Sequence, residues 1–109
     1  KFPAVYAIGD ITGIMLTSIN KPLPKAGVFA HNEAEAVAHN IARAITGKGA
    51  ERRFTGNGEC FIETGGGRAA FGSGNFYAHP APQIELKPPS MMLHLGKLAY
   101  EKYWLFWRF

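Results

Sequence analysis

The stretch Ala26–Thr46 restricts the fold of this chain more than any other, because its apolar residues recur every three or four positions. That spacing places them along one side of an α-helix, with polar side chains such as Glu35 and Arg43 on the opposite side. Gly47 follows directly, and glycine commonly ends a helix in the left-handed conformation. We therefore predict a helix over 26–46 that packs through this apolar stripe: Ala30, Ala34, Val37, Ala38, Ile41, Ala44 and Ile45.

A second informative stretch, Ala4–Asp10, lies near the start of the sequence and reads Ala-Val-Tyr-Ala-Ile-Gly-Asp. Its small and apolar residues predict a short buried strand. Gly9 lets the backbone turn and approach another group closely. Asp10 then places a carboxylate at the carboxyl end of the strand, where ligands bind in α/β folds. The strand, the loop and the helix predict a ligand-binding unit, and the alternative for Asp10 is a plain helix or turn cap.

The middle of the sequence predicts a small antiparallel hairpin. Glu59–Thr64 alternates in the manner of a strand, Gly65–Gly67 forms a turn, and the return over 68–78 is broken by a bulge or bend near Gly72–Gly74. His79–Pro89 contains four prolines and is expected to be an extended link.

The end of the sequence predicts an amphipathic helix that Ser90 caps and that runs to about Arg108. Its polar residues form a narrow strip, and almost everything else in Met91–Phe109 is apolar. The helix is too charged to span a membrane, and its apolar surface is too wide for a solvated helix. We expect it to be covered by a second copy of the chain, by a lipid interface or by core packing. The polar strip consists of His94, Lys97, Glu101 and Arg108.

These elements predict an α+β fold with two parts, a strand–loop–helix over 1–47 and a hairpin with a C-terminal helix over 48–109. The net charge of +4 is modest and the basic residues are scattered, which disfavours nucleic acid as a partner. The single cysteine, Cys60, excludes a disulfide within the sequence. His31, Glu35 and His39 share one helix face, but no further group completes a metal site, and none is predicted.

Two motifs resemble a known family. Val5–Asp10 is similar to the second flavin motif of flavoproteins with two dinucleotide-binding domains. Pro24–Ala30 resembles the segment that follows it in sulfide:quinone oxidoreductases and type II NADH dehydrogenases. The resemblance covers nearly the whole sequence but only the C-terminal part of such enzymes, whose Gly-x-Gly-x-x-Gly fingerprint is absent from it. The chain thus resembles the C-terminal portion of an FAD-dependent pyridine nucleotide-disulfide oxidoreductase, with sulfide:quinone oxidoreductase as the nearest family.

The resemblance implies an FAD site. Gly9 and Asp10 would meet the ribityl chain, with Asp10 accepting its hydrogen bonds. Lys25, Ala26 and Gly27, at a helix start that favours negative charge, would face the flavin carbonyl and stabilise the reduced anion. The alternative there is a plain proline-initiated helix with a solvated lysine. Without the fingerprint, we expect the segment alone not to retain FAD.

The resemblance also implies an acceptor and a redox thiol. Cys60 corresponds to a redox cysteine that pairs with a cysteine from the N-terminal part of sulfide:quinone oxidoreductases, and the alternative is a small core residue. Phe29 is predicted to line a quinone pocket, and core burial is its alternative.

Three functions follow from these observations. The first is that the chain is part of an enzyme that passes electrons from sulfide or another donor through FAD to a quinone-type acceptor. The second is a non-catalytic dimerisation module, and the third is a peripheral membrane anchor. Its expected partners are the remainder of the flavoprotein, a second copy of the chain, quinone and a membrane surface. We expect it in the cytoplasm or at the inner face of the membrane.

Overall fold

The computed structural model describes residues 2–108, and its fold is α+β, as the sequence predicts. Two short strands pair with each other, and three longer strands form an antiparallel sheet in the order β3-β4-β5. The elements in chain order are β1 Met15–Leu16, β2 Lys21–Pro22, α1 Gly27–Thr46, β3 Asn57–Gly65, β4 Arg68–Asn75, β5 Gln83–Ser90 and α2 Met91–Tyr103.

The chain divides into two compact units, which differ from the two parts predicted from the sequence. The first unit contains the residues up to Gly58 together with Asn75–Gln83, and the second contains Glu59–Gly74 together with the residues from Ile84 onward. The connector 48–58 belongs to the first unit because side chains of α1 hydrogen-bond to its backbone.

The predicted strand over Ala4–Asp10 is wrong. Residues 5–8 have no regular secondary structure, and Gly9–Ile11 form a single 3-10 helical turn. Val5 is 69% exposed and Ile8 is 38% exposed. A strand forms only when its backbone groups find a neighbouring strand, and within residues 2–108 no strand pairs with this stretch.

Helix α1 has the predicted end, and its predicted apolar stripe is covered only along the first half of the helix. Gly47 adopts φ +69° and donates its N–H to the Arg43 carbonyl at 2.8 Å, which confirms the predicted C-terminal cap. The predicted apolar stripe is covered only in part within the described residues: Ala30, Ala34 and Val37 are half-buried, whereas Ile41 is 41% exposed and Ile45 is 80% exposed. The polar side is covered in part as well, because the connector finds hydrogen-bond partners there.

Four polar side chains of α1 make these contacts with the connector. Asn40 exchanges two hydrogen bonds with the backbone of Arg52. The three other side chains each donate to a connector carbonyl: His39 to Ala50 at 2.9 Å, Arg43 to Gly49 at 3.1 Å and Asn32 to Asn57 at 3.0 Å.

The core of the first unit lies under the start of α1. Phe29 is 5% exposed and is buried with Leu16 and Leu23. Its ring meets Phe54 and Phe76 edge to face, with centroids 6.0 and 5.0 Å away. Edge-to-face aromatic packing of this kind adds about 0.5–1.5 kcal/mol per pair beyond the buried area.

The sheet contains one strand more than the predicted hairpin. The proline-containing stretch forms β5, and prolines 88 and 89 are tolerated there because β5 is an edge strand. The predicted break at Gly72–Gly74 is also wrong, since β4 runs through these residues without interruption. As the central strand, β4 is held by neighbours on both sides.

Helix α2 begins where the sequence predicts. The Ser90 hydroxyl accepts a hydrogen bond from the Leu93 N–H at 3.1 Å, which confirms the cap. The helix continues as a π-helical turn over Trp104–Arg108. Phe109, predicted to belong to the same helix, lies outside the described residues. In the described part of the chain, no helix combines the length and apolarity that crossing a membrane requires.

Helix α2 also directs polar side chains toward its own unit. His94 Nδ1 and Lys97 Nζ lie 3.1 and 3.3 Å from Oε1 of Glu63 on β3. Burial on its own raises the pKa of the Glu63 carboxyl, but these two hydrogen bonds outweigh it and hold that pKa below its usual value. Large apolar residues of α2 stay exposed, with Met92 at 81%.

Candidate functional site

A cleft of about 180 Å³ lies at the start of α1 and collects most of the residues predicted from the sequence. The predicted residues Gly9, Asp10, Lys25, Ala26 and Phe29 all line it. Gly27 follows as the first residue of α1. The other lining residues are Thr12, Leu23, Pro24, Ala30 and Glu33.

The turn at Gly9 is held at both of its backbone polar groups. The Gly9 N–H donates to Glu33 Oε2 at 2.7 Å. The Gly9 carbonyl accepts from the N–H and the hydroxyl of Thr12, at 2.9 and 2.8 Å. Gly9 has φ +73°, and a Cβ placed on it would lie 3.2 Å from the Ala30 Cβ, so the turn requires glycine on both grounds.

Asp10 sits within this turn and presents its carboxylate to solvent. Among residues 2–108 its side chain has no hydrogen-bond partner, and the residue at the N-cap of the turn is Ile8. The alternative interpretation of Asp10 as a cap is therefore wrong. An unpaired carboxylate beside a cleft can accept hydrogen bonds from hydroxyl groups of a ligand.

The start of α1 lies beside the same cleft, which Ala26, Phe29 and Ala30 line. Phe29 donates the first helical hydrogen bond, to the Ala26 carbonyl at 3.0 Å, so the amides of Gly27 and Val28 have no partner within the helix. No side chain caps this end. Lys25 donates through Nζ to the Thr12 carbonyl, which ties the turn to the helix start and leaves two ammonium protons for other acceptors.

The chemistry of these groups fits a flavin whose remaining contacts come from elsewhere. One acceptor, helix-start amides and a lysine suit a ligand with hydroxyl groups and a developing negative charge. Most of the 180 Å³ is open to solvent, and the enclosed space is about 10 Å³, which is about what one water molecule needs. The cleft can therefore contact only a portion of a molecule as large as FAD.

Two further residues of the cleft differ from expectation. Phe29, predicted to line a quinone pocket, is a core residue, as its alternative interpretation states. Glu33 was not singled out in the sequence, yet it is 6% exposed and lines the cleft. Its position four residues after Phe29 places both on one side of the helix, which is the signal that could have identified it. The pKa of Tyr77 is raised, first by burial of Tyr77 itself and then by the negative charge of Glu33.

Cys60 lies on β3 in the second unit and is exposed. The alternative interpretation of Cys60 as a buried core residue is therefore wrong. Residues alternate between the two faces of a strand, and Phe61, the next residue, packs against Phe71 with ring centroids 4.9 Å apart. Cys60 thus lies on the opposite face from Phe61, where a reagent or a partner thiol can approach it.

The two histidines of α1, His31 and His39, make contacts with other groups of the protein. His31 pairs with Glu35 at 3.3 Å, and His39 donates to a backbone carbonyl. In the described part of the chain, no three side chains of His, Cys, Asp or Glu come together as metal ligands.

Neither a protein-family model nor a solved structure matches this chain.

Proposed function

We propose that this chain is the C-terminal portion of an FAD-dependent oxidoreductase resembling sulfide:quinone oxidoreductase, and that it completes the flavin site of that enzyme. One observation carries the proposal. The unpaired carboxylate of Asp10, the charged residue Lys25 and Ala26, the residue directly before α1, line the same cleft. The resemblance of the two motifs to flavin-binding segments supports the same assignment.

Each part of the cleft has a role in this proposal. Asp10 accepts hydrogen bonds from the ribityl hydroxyls. The amides of Gly27 and Val28, with the positive end of α1, stabilise negative charge near the flavin carbonyl, and Lys25 adds a full charge. When bound, FAD supplies two-electron redox chemistry between sulfide or another donor and a quinone-type acceptor.

The exposed apolar surface of α1 supports a role as part of a larger protein. Ile41 and Ile45 leave much of their area in water, as do Val5 and Ile11 outside the helix. Burying each large apolar side chain is worth roughly 1.5–3 kcal/mol. In a complete flavoprotein, the remainder of the chain supplies the surface that covers them, together with the other flavin contacts.

Cys60 is the proposed redox thiol of the same enzyme. Its exposure on β3 meets the requirement that a reactive cysteine be accessible. Because the sequence contains no second cysteine, the disulfide must form with a thiol supplied from outside this sequence. Oxidation of Cys60 and that thiol to a disulfide would release two protons and two electrons, and bound FAD would be the acceptor of the electrons.

The exposed surface of α2 favours a second, peripheral role. Phe106 and Trp107 are 73% and 81% exposed, and Lys102 lies nearby with its Nζ 5.8 Å from the Phe106 ring centroid. Aromatic and basic residues in this combination suit either a second copy of the chain or the inner face of a membrane.

Flavin retention by the full-length protein tests the main proposal. Replacing Asp10 with alanine removes hydrogen bonds to a charged acceptor, each worth roughly 1.5–3 kcal/mol. We expect Asp10→Ala to lose flavin on dialysis against high salt while the wild-type protein keeps it. Glu85→Ala, at an exposed carboxylate of β5, is the matched control and should keep its flavin. Equal flavin content in Asp10→Ala and wild type would contradict the proposal.

A further inference from the structure

The Gly9–Thr12 turn is tied to the rest of the first unit by two side chains. Lys25 holds its end through the Thr12 carbonyl, and Glu33 holds its beginning through the Gly9 N–H. The turn has no strand on either side to fix its position. These two tethers, together with the internal bonds of Thr12, therefore determine where Asp10 stands relative to the start of α1.

Glu33 is an unusual residue to find in this place. Glu33 is a buried residue, and a buried carboxylate costs free energy unless hydrogen bonds compensate it. An apolar residue here would extend the core around Phe29 with no such cost. One hydrogen bond compensates the Glu33 carboxylate, and its donor is the Gly9 N–H, 24 positions earlier in the chain. The presence of a carboxylate here is explained by its hydrogen bond, which places the Gly9–Asp10 turn.

We infer that Glu33 is the positioning residue of the cleft: its carboxylate oxygen holds the Gly9 N–H so that Asp10 faces the ligand beside the start of α1. This inference rests on the proposed function for the identity of the ligand. What matters is the reach of the acceptor oxygen and not the charge of Glu33, because a backbone N–H donates to the neutral carbonyl oxygen of an amide as well as to a carboxylate.

Two substitutions separate reach from charge. Glu33→Gln keeps the acceptor oxygen at the same reach and removes the charge. Glu33→Asp keeps the charge and shortens the side chain by one methylene, so the oxygen no longer reaches the Gly9 N–H. We expect Glu33→Asp to weaken FAD binding to the full-length apoprotein about tenfold, as the loss of one hydrogen bond would, and Glu33→Gln to bind within about twofold of wild type.

Hydrogen exchange in the flavin-free protein supplies a readout that does not depend on FAD. Exchange over residues 9–12 should accelerate in Glu33→Asp and stay near wild type in Glu33→Gln, with exchange in α1 unchanged in both. Glu35→Asp, the same change on the exposed side of α1, is the control and should alter neither exchange nor binding.

The outcomes distinguish this inference from the proposed function. Wild-type exchange or wild-type FAD affinity in Glu33→Asp would overturn the positioning role, as would loss of affinity in Glu33→Gln. If the wild-type protein binds no flavin at all, the proposed function fails, and the exchange measurement alone then decides whether Glu33 holds the turn.

Discussion

The side chain of Asn40 and the backbone of Arg52 exchange two hydrogen bonds. The Arg52 N–H donates to Asn40 Oδ1 at 2.9 Å, and Asn40 Nδ2 donates to the Arg52 carbonyl at 2.7 Å. A side-chain amide that pairs with both polar groups of one residue imitates a strand neighbour. This pair fixes the connector along the polar side of α1, away from the apolar stripe of the helix.

Asn40→Ala should destabilise the first unit by about 1–3 kcal/mol, because it removes two hydrogen bonds worth about 0.5–1.5 kcal/mol each. Urea unfolding of the wild-type and variant chains measures the difference. Lys48→Ala, at an exposed position of the same connector, should change the free energy of unfolding little. Equal stability of Asn40→Ala and wild type would mean that the connector is held by other contacts.

The features that the sequence predicts correctly are those with local causes. Gly47 ends α1 because the left-handed conformation is easily reached without a side chain, and Ser90 begins α2 because its hydroxyl reaches the Leu93 amide. Asp10, Lys25 and Ala26 meet at one cleft because the loop between them closes back on the helix start. The two caps need only residues within one helical turn, whereas the cleft also needs the hydrogen bond from the Gly9 N–H to Glu33, 24 positions away.

The features that the sequence does not predict depend on tertiary partners. Ala4–Asp10 has the composition of a strand but no neighbouring strand, and β5 forms despite its prolines because β4 offers an edge. The apolar side of α1 was expected to be buried but is covered only in part, and the connector pairs with its polar side. Glu33 has one sequence signal, its spacing of four from Phe29, but only the folded turn shows which group its carboxylate binds.

The second unit should lose stability in acid through Glu63. Its pKa is lower in the folded chain than the ordinary value of 4.5, because hydrogen bonds from His94 and Lys97 outweigh the effect of burial. The carboxylate therefore contributes stability that is fully present above the unfolded-state pKa. That contribution is lost as the pH falls from about 4.5 through the lower folded-state pKa.

Glu63→Gln should accordingly flatten the acid limb of the stability profile below about pH 4.5. Urea midpoints measured between neutral pH and pH 3 give the profile. Glu59→Gln, on the same strand, is the matched control and should follow the wild-type curve. An acid limb of Glu63→Gln that matches wild type would show that the contacts with His94 and Lys97 add nothing to stability.

Cys60→Ser should abolish reduction of the flavin by sulfide in the full-length enzyme. Serine keeps the size of the side chain at an exposed strand position but cannot form a disulfide. Circular dichroism and flavin content should match wild type, because Cys60 does not belong to the core. Stopped-flow absorbance of the flavin after mixing with sulfide measures the step, and wild-type rates in the variant would remove Cys60 from the chemistry.

The last prediction concerns the apolar surface of α2 and the turn that follows it. Met92, Phe106 and Trp107 each expose more than 70% of their area, and each forgoes roughly 1.5–3 kcal/mol of burial while it does so. A second copy of the chain can cover this surface without lipid, so we expect a dimer through α2 at micromolar concentration. Sedimentation should then give a monomer for the double variant Phe106→Ser/Trp107→Ser. The control is Ile45→Ser, which changes an exposed apolar residue of α1 and should remain a dimer. A wild-type monomer that binds vesicles with anionic lipid would indicate a membrane surface as the cover, and a monomer that binds no vesicles would contradict both.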